Sequence, residues 1–327
     1  MAKASLDTLP RSVPQKRTAG DLAKDLFVLS RFNRYNPLLA TFSGVWATLL
    51  AGASKRIDHP GSISTEYVFK QALLVFVGGY IFCGAGMVWN DWIDLNIDKQ
   101  VARTKERPLA AGRITNTEAL IWMMAQYIAS WYLIAYTLDG HNVLEAMIPV
   151  TISTILYPFG KRSFFKTIYF YPQYFLGFTL GYPSVIGWLA IKGQDQSLQD
   201  NIMESFALGT TVFTWVLYLN TAYSYQDIEG DKKANVNSVY FLAGSYIHYF
   251  LVFLAALVLG ATSLQLKAQA SQWLWGSWLS VWGYSFASQL SRFSAKDPSS
   301  GGTLHKENFA LGVWTVFACA VELLLKS

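Results

Sequence analysis

The sequence predicts an all-α fold, a polytopic membrane bundle of about nine transmembrane helices with its active site at the cytosolic face. Three observations predict the bundle. Apolar residues make up 52% of the 327 residues and charged residues only 14%, whereas ordinary soluble domains carry roughly 25% charged residues. The apolar residues gather in blocks long enough to cross a bilayer, which takes about 20 residues per helix. The Lys and Arg residues fall between these blocks, and mostly in alternate gaps.

The elements follow in order. Met1 to Arg34 is polar and basic and has no apolar segment of the signal-peptide kind. Residues 1–30 are therefore expected to form a mobile cytosolic tail, and residues 31–327 a single transmembrane domain. Nine apolar runs come next: Leu38–Ala53, Val68–Trp89, Ala119–Leu138, Val143–Tyr157, Ile168–Ile191, Phe206–Tyr223, Tyr240–Leu266, Trp273–Gln289 and Phe309–Leu325. The first, fourth and eighth are the shortest. Thr115 and Glu118 form a capping box ahead of the third run. Gly177-x-x-x-Gly181 in the fifth would let a neighbouring helix approach closely. Ser294–Glu307, rich in Ser and Gly, reads as a flexible linker.

The formal net charge is +5, but its placement argues against nucleic acid. With the N-terminus in the cytosol, the tail and the gaps after runs two, four, six and eight hold 20 of the 26 Lys and Arg residues. The opposite side holds Lys55, Arg56, Lys70, Lys192, Lys267 and Lys326. This is the asymmetry of a membrane protein whose basic loops stay in the cytosol. Cys83 and Cys319, the two cysteines, lie inside apolar runs and suggest neither a disulfide framework nor a metal site. The four histidines, His59, His141, His248 and His305, are scattered and read as lone structural or surface residues, which argues against zinc.

Chemistry concentrates at the ends of two runs. Run two closes on Asn90-Asp91-Trp92-Ile93-Asp94-Leu95-Asn96-Ile97-Asp98. On a helix, positions 90, 94 and 98 share a face and Asp91 flanks it. Run six closes on Asp227-Ile228-Glu229-Gly230-Asp231, again with acids four apart. One acid at a helix end is ordinarily a solvated face. Repeated acids are harder to explain, because like charges about 6 Å apart repel by roughly 2–3 kcal/mol at an effective dielectric near 20. A divalent cation removes that repulsion, and carboxylate and amide oxygens suit Mg²⁺, which bridges substrate phosphates. Basic residues lie on the same membrane side: Arg103, Lys105 and Arg107 after the first cluster, Lys161 and Arg162 after run four. Lys105 and Arg162 serve equally well as topological anchors. Acids that hold Mg²⁺ beside arginines that fork onto phosphate oxygens make a diphosphate site.

These motifs resemble those of the UbiA-type intramembrane prenyltransferases. The family pattern N-D-x-x-D-x-x-x-D is matched by Asn90 to Asp98. The D-x-x-x-x-R-T-K-x-R-P stretch resembles Asp98 to Pro108, and Y-P-x-x-K-R is similar to Tyr157 to Arg162. The second D-x-x-x-D matches Asp227 and Asp231. The resemblance spans roughly residues 30–325. It implies that Asn90, Asp94, Asp98, Asp227 and Asp231 hold Mg²⁺, with Asp91 a direct or supporting ligand. It implies that Arg103, Arg107 and Lys161 bind diphosphate. One departure stands out: where the family often has G-V-K-S/T, this chain has Asn235-Val236-Asn237-Ser238, so a lysine contact is missing. Length, tail and aromatic richness resemble fungal relatives that build meroterpenoids.

The resemblance implies that a prenyl diphosphate, most simply farnesyl, ionises between the two clusters and that its cation is attacked by an electron-rich, phenolic polyketide-derived ring. Tyr157, Tyr169, Tyr171, Tyr174, Tyr218, Tyr223 and Tyr225 are candidates to stabilise the cation. Asn220, seven residues before Asp227, is a candidate to orient the acceptor. The expected partners are these two substrates and the bilayer, with no nucleic acid and no protein partner; the membrane is expected to be that of the endoplasmic reticulum. A terpene cyclase on the same scaffold is the alternative, in which the cation closes on its own chain. A transporter is a third reading, disfavoured because the acids and bases lie on one membrane face.

Overall fold

The computed structural model describes residues 17–100, 104–233 and 236–326. Nine long helical segments lie among them: α1 (Phe42–Asp58), α2 (Thr65–Ile93), α3 (Asn116–Thr137), α4 (Val143–Leu156), α5 (Pro172–Gly181 and Pro183–Lys192), α6 (Leu198–Ser224), α7 (Ile247–Gln269), α8 (Gln272–Arg292) and α9 (Leu304–Leu325). The described residues contain no named strand. Eight of the segments are long and apolar enough to cross a membrane. The exception is α8, whose 21 residues are sufficient in length but are diluted by Trp, Ser, Gly and Gln. The protein is an integral, multi-pass membrane protein.

Local chemistry sets the helix starts. Thr115 and Glu118 make the expected capping box on α3, and Ser64, Ser197 and Ser271 cap α2, α6 and α8 through their hydroxyls. The fifth span breaks at Tyr182, because Pro183 has no N–H to continue the ladder. Helix α1 is central, with 89% of its apolar window buried, and packs on α2, α5, α6 and α9. Around it the segments follow in chain order: α2 on α3, α4 on α5, α5 on α6, α6 on α7, α7 on α8, and α8 on α9.

Close helix contacts depend on absent side chains. A Cβ on Gly181 would lie 2.7 Å from the Gly209 carbonyl oxygen, and one on Gly177 would lie 2.9 Å from Phe213 and Leu217 side chains, so the Gly177/Gly181 pair seats α5 on α6. Indoles fill the middle: Trp46, Trp215, Trp278 and Trp282 form one ring cluster. Three of their N–H groups donate inward, Trp46 to the Gly312 carbonyl, Trp215 to Asn308 Oδ1 and Trp282 to Thr315 Oγ1. The outer surface is apolar instead, with Leu73, Ile121, Ile128, Phe206, Phe253 and Phe317 exposed. Without a hydrophobic drive between helices in lipid, packing and buried hydrogen bonds hold such a bundle.

Two sequence expectations change. The tail drawn to residue 30 includes a docked helix, Ala19–Leu29, which has its own Thr18/Asp21 capping box. Leu29 is fully buried among Ala85, Val88, Leu109 and Met123, and Arg113 pairs with Asp25. A capping signal and an apolar face in a short basic segment were masked by its overall polarity. The linker Ser294–Glu307 is a packed turn rather than a flexible one: Pro298–Thr303 is a 3₁₀ helix, and a Cβ on Gly301 would collide with the Ala222 carbonyl. Its glycines serve close approach to the end of α6.

Candidate active site

The first acidic cluster forms where α2 runs out. Helix α2 ends at Ile93, Asp94 caps it, and Leu95–Asp98 adds one further turn. The helical ladder persists through the cap. The Asp94 N–H donates to the Asn90 carbonyl at 3.0 Å and the Asp98 N–H to the Asp94 carbonyl at 2.8 Å. Asp91, Asp94 and Asp98 are 2%, 4% and 5% exposed, so each carboxylate needs a partner close by.

Four cations supply those partners. Lys161 Nζ donates to Asn90 Oδ1 at 2.9 Å and to Asp94 Oδ2 at 2.7 Å. Arg162 donates to Asp94 Oδ1 at 2.9 Å. Arg107 Nη1 bridges Asp91 and Asp98, at 2.9 and 2.6 Å. Arg31 donates to both oxygens of Asp91, at 2.9 and 2.6 Å. Burial pushes the Asp98 carboxyl above its ordinary range, and the Arg107 charge opposes that shift. The structure thus brings Asn90, Asp91, Asp94, Asp98, Arg107 and Lys161 together as the sequence expected. Arg103 lies outside the described residues, and Lys105 is exposed. Arg31 was missed, because in sequence it is one more basic residue ahead of the first span. Its signal is local: it sits two residues past Leu29, in a left-handed conformation (φ 61°), and turns back to donate to the Val28 and Leu29 carbonyls.

The second cluster lies beyond the end of α6. Asp227 ends a 3₁₀ turn (Tyr225–Asp227), and Asp231 sits in the short helix Ile228–Lys233. Tyr240, buried, donates its hydroxyl to Asp231. The return strand of this loop ties the two clusters. The Val236 N–H donates to the Asp231 carbonyl at 3.0 Å, and the Asn237 N–H to the Lys161 carbonyl at 3.1 Å. Asn237 Nδ2 reaches the Gly160 and Phe170 carbonyls at 2.9 and 2.8 Å. Where the family pattern leads one to expect a lysine, this chain has a buried amide that clamps the Lys161 turn to the second motif. Asn235 lies outside the described residues.

Below the first cluster an apolar cavity enters the bundle. Leu39, Phe82, Val150, Leu176, Val216 and Leu219 form much of its wall, while Asn90, Tyr157, Asn220 and His305 give it a polar end. Of the seven tyrosines singled out, Tyr157 alone lines this cavity, and Lys161 sits 5.1 Å from its ring centroid. Tyr218 and Tyr225 are buried elsewhere, bonded to Gln289 and the Ala295 carbonyl, and Tyr169 is exposed. Asn220 lines the cavity.

Among the described residues no group of three or more His, Cys, Asp or Glu side chains is arranged to hold a metal ion. The first-cluster carboxylates turn to Lys161, Arg162, Arg107 and Arg31 instead. The donor chemistry nonetheless fits Mg²⁺: Asn90, Asp94, Asp98, Asp227 and Asp231 offer oxygen ligands, and carboxylates already matched by basic side chains can exchange one cation for another. Asp91 fits least, because two arginines make three bonds to it, Arg31 to both oxygens and Arg107 to Oδ1, and it is the most buried of the three acids.

The UbiA prenyltransferase family model matches residues 38–313. The polyprenyl transferase cle5 of Aspergillus versicolor is 64% identical over 95% of this chain and 98% of its own length. The polyprenyl transferase spyF of Aspergillus fumigatus is 59% identical over 96% of this chain and 92% of its own. A solved structure of a UbiA homolog from Archaeoglobus fulgidus, bound to DMAPP and Mg²⁺, superposes with a TM-score of 0.58 at 14% identity, over 90% of this chain and 99% of that one. At that identity the likeness speaks to the fold, and the near full-length relatives carry the rest. The chain belongs to the UbiA prenyltransferase family.

Proposed function

We propose that this prenyltransferase moves a prenyl group, farnesyl first among candidates, from its diphosphate to a phenolic, polyketide-derived aromatic ring in meroterpenoid biosynthesis. One observation carries the reading: a buried cluster of acids and bases opens at Asn90 and Tyr157 into an apolar cavity. A charged head and a hydrocarbon tail in one molecule are what such a site matches. The fungal polyprenyl transferases at 64% and 59% identity support it. So does the archaeal neighbour solved with DMAPP and Mg²⁺. In our reading residues 31–327 form the catalytic domain, the N-terminus is cytosolic and the membrane is that of the endoplasmic reticulum.

In this mechanism Asn90, Asp94, Asp98, Asp227 and Asp231 would hold Mg²⁺, and Asp91 would position Arg31 and Arg107. Bound Mg²⁺ would neutralise charge developing on the leaving diphosphate. Lys161 and Arg107, and Arg103 beyond the described residues, would turn from the acids to phosphate oxygens, where charge-assisted bonds are strong. The cavity would exclude water from the allylic cation, and Tyr157 would offer its ring face, worth about 2 kcal/mol or more in a dry site. Asn220 would hold the acceptor. The missing lysine at Asn237 does not by itself favour the cyclase, because that amide has a clamping role of its own.

The test supplies membranes containing the protein with geranyl, farnesyl and geranylgeranyl diphosphates and Mg²⁺, with and without hydroxybenzoic acids. A prenylated aromatic that disappears on EDTA treatment is the expected product. A terpene formed equally well without acceptor would replace this reading with the cyclase.

A further inference from the structure

His305 stands outside both aspartate motifs, yet it reaches the same cavity. It lies near the start of α9, 8% exposed, and lines the wall with Asn220 and Asn90. Its ring is held on two sides, by Tyr35 at 5.1 Å and Tyr223 at 4.8 Å between centroids. Nδ1 shares a hydrogen bond with the Tyr35 hydroxyl at 3.1 Å. Nε2 has no hydrogen-bond partner among the described residues. No carboxylate bonds the imidazole, so it is not one half of an ion pair. The packing that places it is tight. Gly301 presses on Ala222 of α6, one residue from Tyr223 and five before Asp227. The segment that carries the second motif therefore also fixes where His305 sits.

Prenylation of an aromatic ring leaves a proton to be removed. The C1–oxygen bond of the prenyl diphosphate breaks, and its electron pair leaves with diphosphate. A ring π pair forms the new C–C bond to C1. The ring C–H pair must then restore aromaticity while the proton passes to a base. Besides His305, the polar residues lining the cavity are three amides, two aliphatic hydroxyls, one phenol and one thiol. Amides and hydroxyls do not accept protons near neutrality, and phenol and thiol are protonated there, with reference pKa values of about 10 and about 8.5. Among the residues that line the cavity, His305 is the one whose side chain carries a basic ring nitrogen. We propose that His305 is a catalytic residue: its Nε2 takes the proton lost by the aromatic acceptor, while Tyr35 fixes the ring through Nδ1. This rests on the aromatic-transfer reading above.

The experiment compares wild type with His305→Gln and His305→Ala in membranes normalised for inserted protein. The acceptor is whichever hydroxybenzoic acid the wild type prenylates, used with and without deuterium at the attacked ring carbon. The expected result is a kcat lower by on the order of 10²-fold in both variants with little change in KM. A primary isotope effect absent from the wild type should appear in them, and imidazole should restore part of the His305→Ala rate. Unchanged kcat, or a loss carried by KM with no isotope effect and no rescue, would overturn the assignment and leave aromatic transfer intact. Failure of the wild type to prenylate any aromatic acceptor would remove the transfer reading and the inference with it.

Discussion

Asp94 Oδ2 receives Lys161 at 2.7 Å and Asp98 Oδ2 receives Arg107 at 2.6 Å. A metal ion approaching these oxygens must displace those side chains, and the displaced side chains then need an anion. Under the proposed mechanism Mg²⁺ and diphosphate therefore bind with positive coupling, reciprocal by linkage and of the usual size, roughly 5–150-fold. Calorimetry on the detergent-solubilised protein should find Mg²⁺ tighter in the presence of inorganic diphosphate, and less so in Lys161→Met. Additive binding in the wild type would mean that the basic residues do not change partners. The same chemistry makes Asp94→Ala and Asp231→Ala lose turnover by about 10³-fold or more while still inserting in the membrane; full activity in either would sink the two-cluster mechanism. Most of this cluster was legible because acids four apart on an apolar run have no comfortable structural explanation. Arg31 and His305 were not, since a lone basic residue or histidine gains meaning only when folding sets it beside a carboxylate or a cavity.

Among the described helices, α1 and α5 approach each other backbone to backbone. Gly187 faces α1 so tightly that a Cβ would collide with the Gly44 carbonyl oxygen and lie 2.9 Å from the Thr48 N. Both obstacles are backbone within helices, and neither can swing aside. Gly187→Leu should therefore destabilise the bundle by at least the roughly 1–3 kcal/mol of ordinary overpacking. The control is Gly260→Ala, on α7 with open space around its Cα, which should match wild type. Thermal melts in detergent measure both, and equal melting of Gly187→Leu would show that α5 can withdraw from α1. Spans, the Thr115/Glu118 capping box and the Gly177/Gly181 contact were readable because each is a local pattern. The break of α5 ahead of Pro183 went unread, since a proline inside an apolar run is tolerated in membranes. The Ser294–Glu307 turn was misread because small polar residues mark both flexible linkers and tightly packed loops.

Across the whole molecule, charge and cavity point the same way. The acid–base cluster, the second motif and the packed turn over α6 gather at one end, the end to which the proposed topology assigns 20 of the 26 Lys and Arg residues. The other end has its own ion pairs, Lys55 with Asp195 and Lys192 with Glu204, but few cations to spare. The bias of basic residues sets the orientation of such proteins during insertion, and under the proposed N-in topology the diphosphate head would lie at the cytosolic surface, where a soluble substrate can enter. Single cysteines test this in a background with Cys83 and Cys319 replaced by alanine. Ser299, exposed in the turn before α9, and Ser62, exposed between α1 and α2, should lie on opposite sides. In sealed microsomes a membrane-impermeant maleimide should label Ser299→Cys directly, and Ser62→Cys after detergent alone. The reverse pattern would put the acidic clusters in the lumen, and the donor diphosphate would then have to be supplied from that compartment.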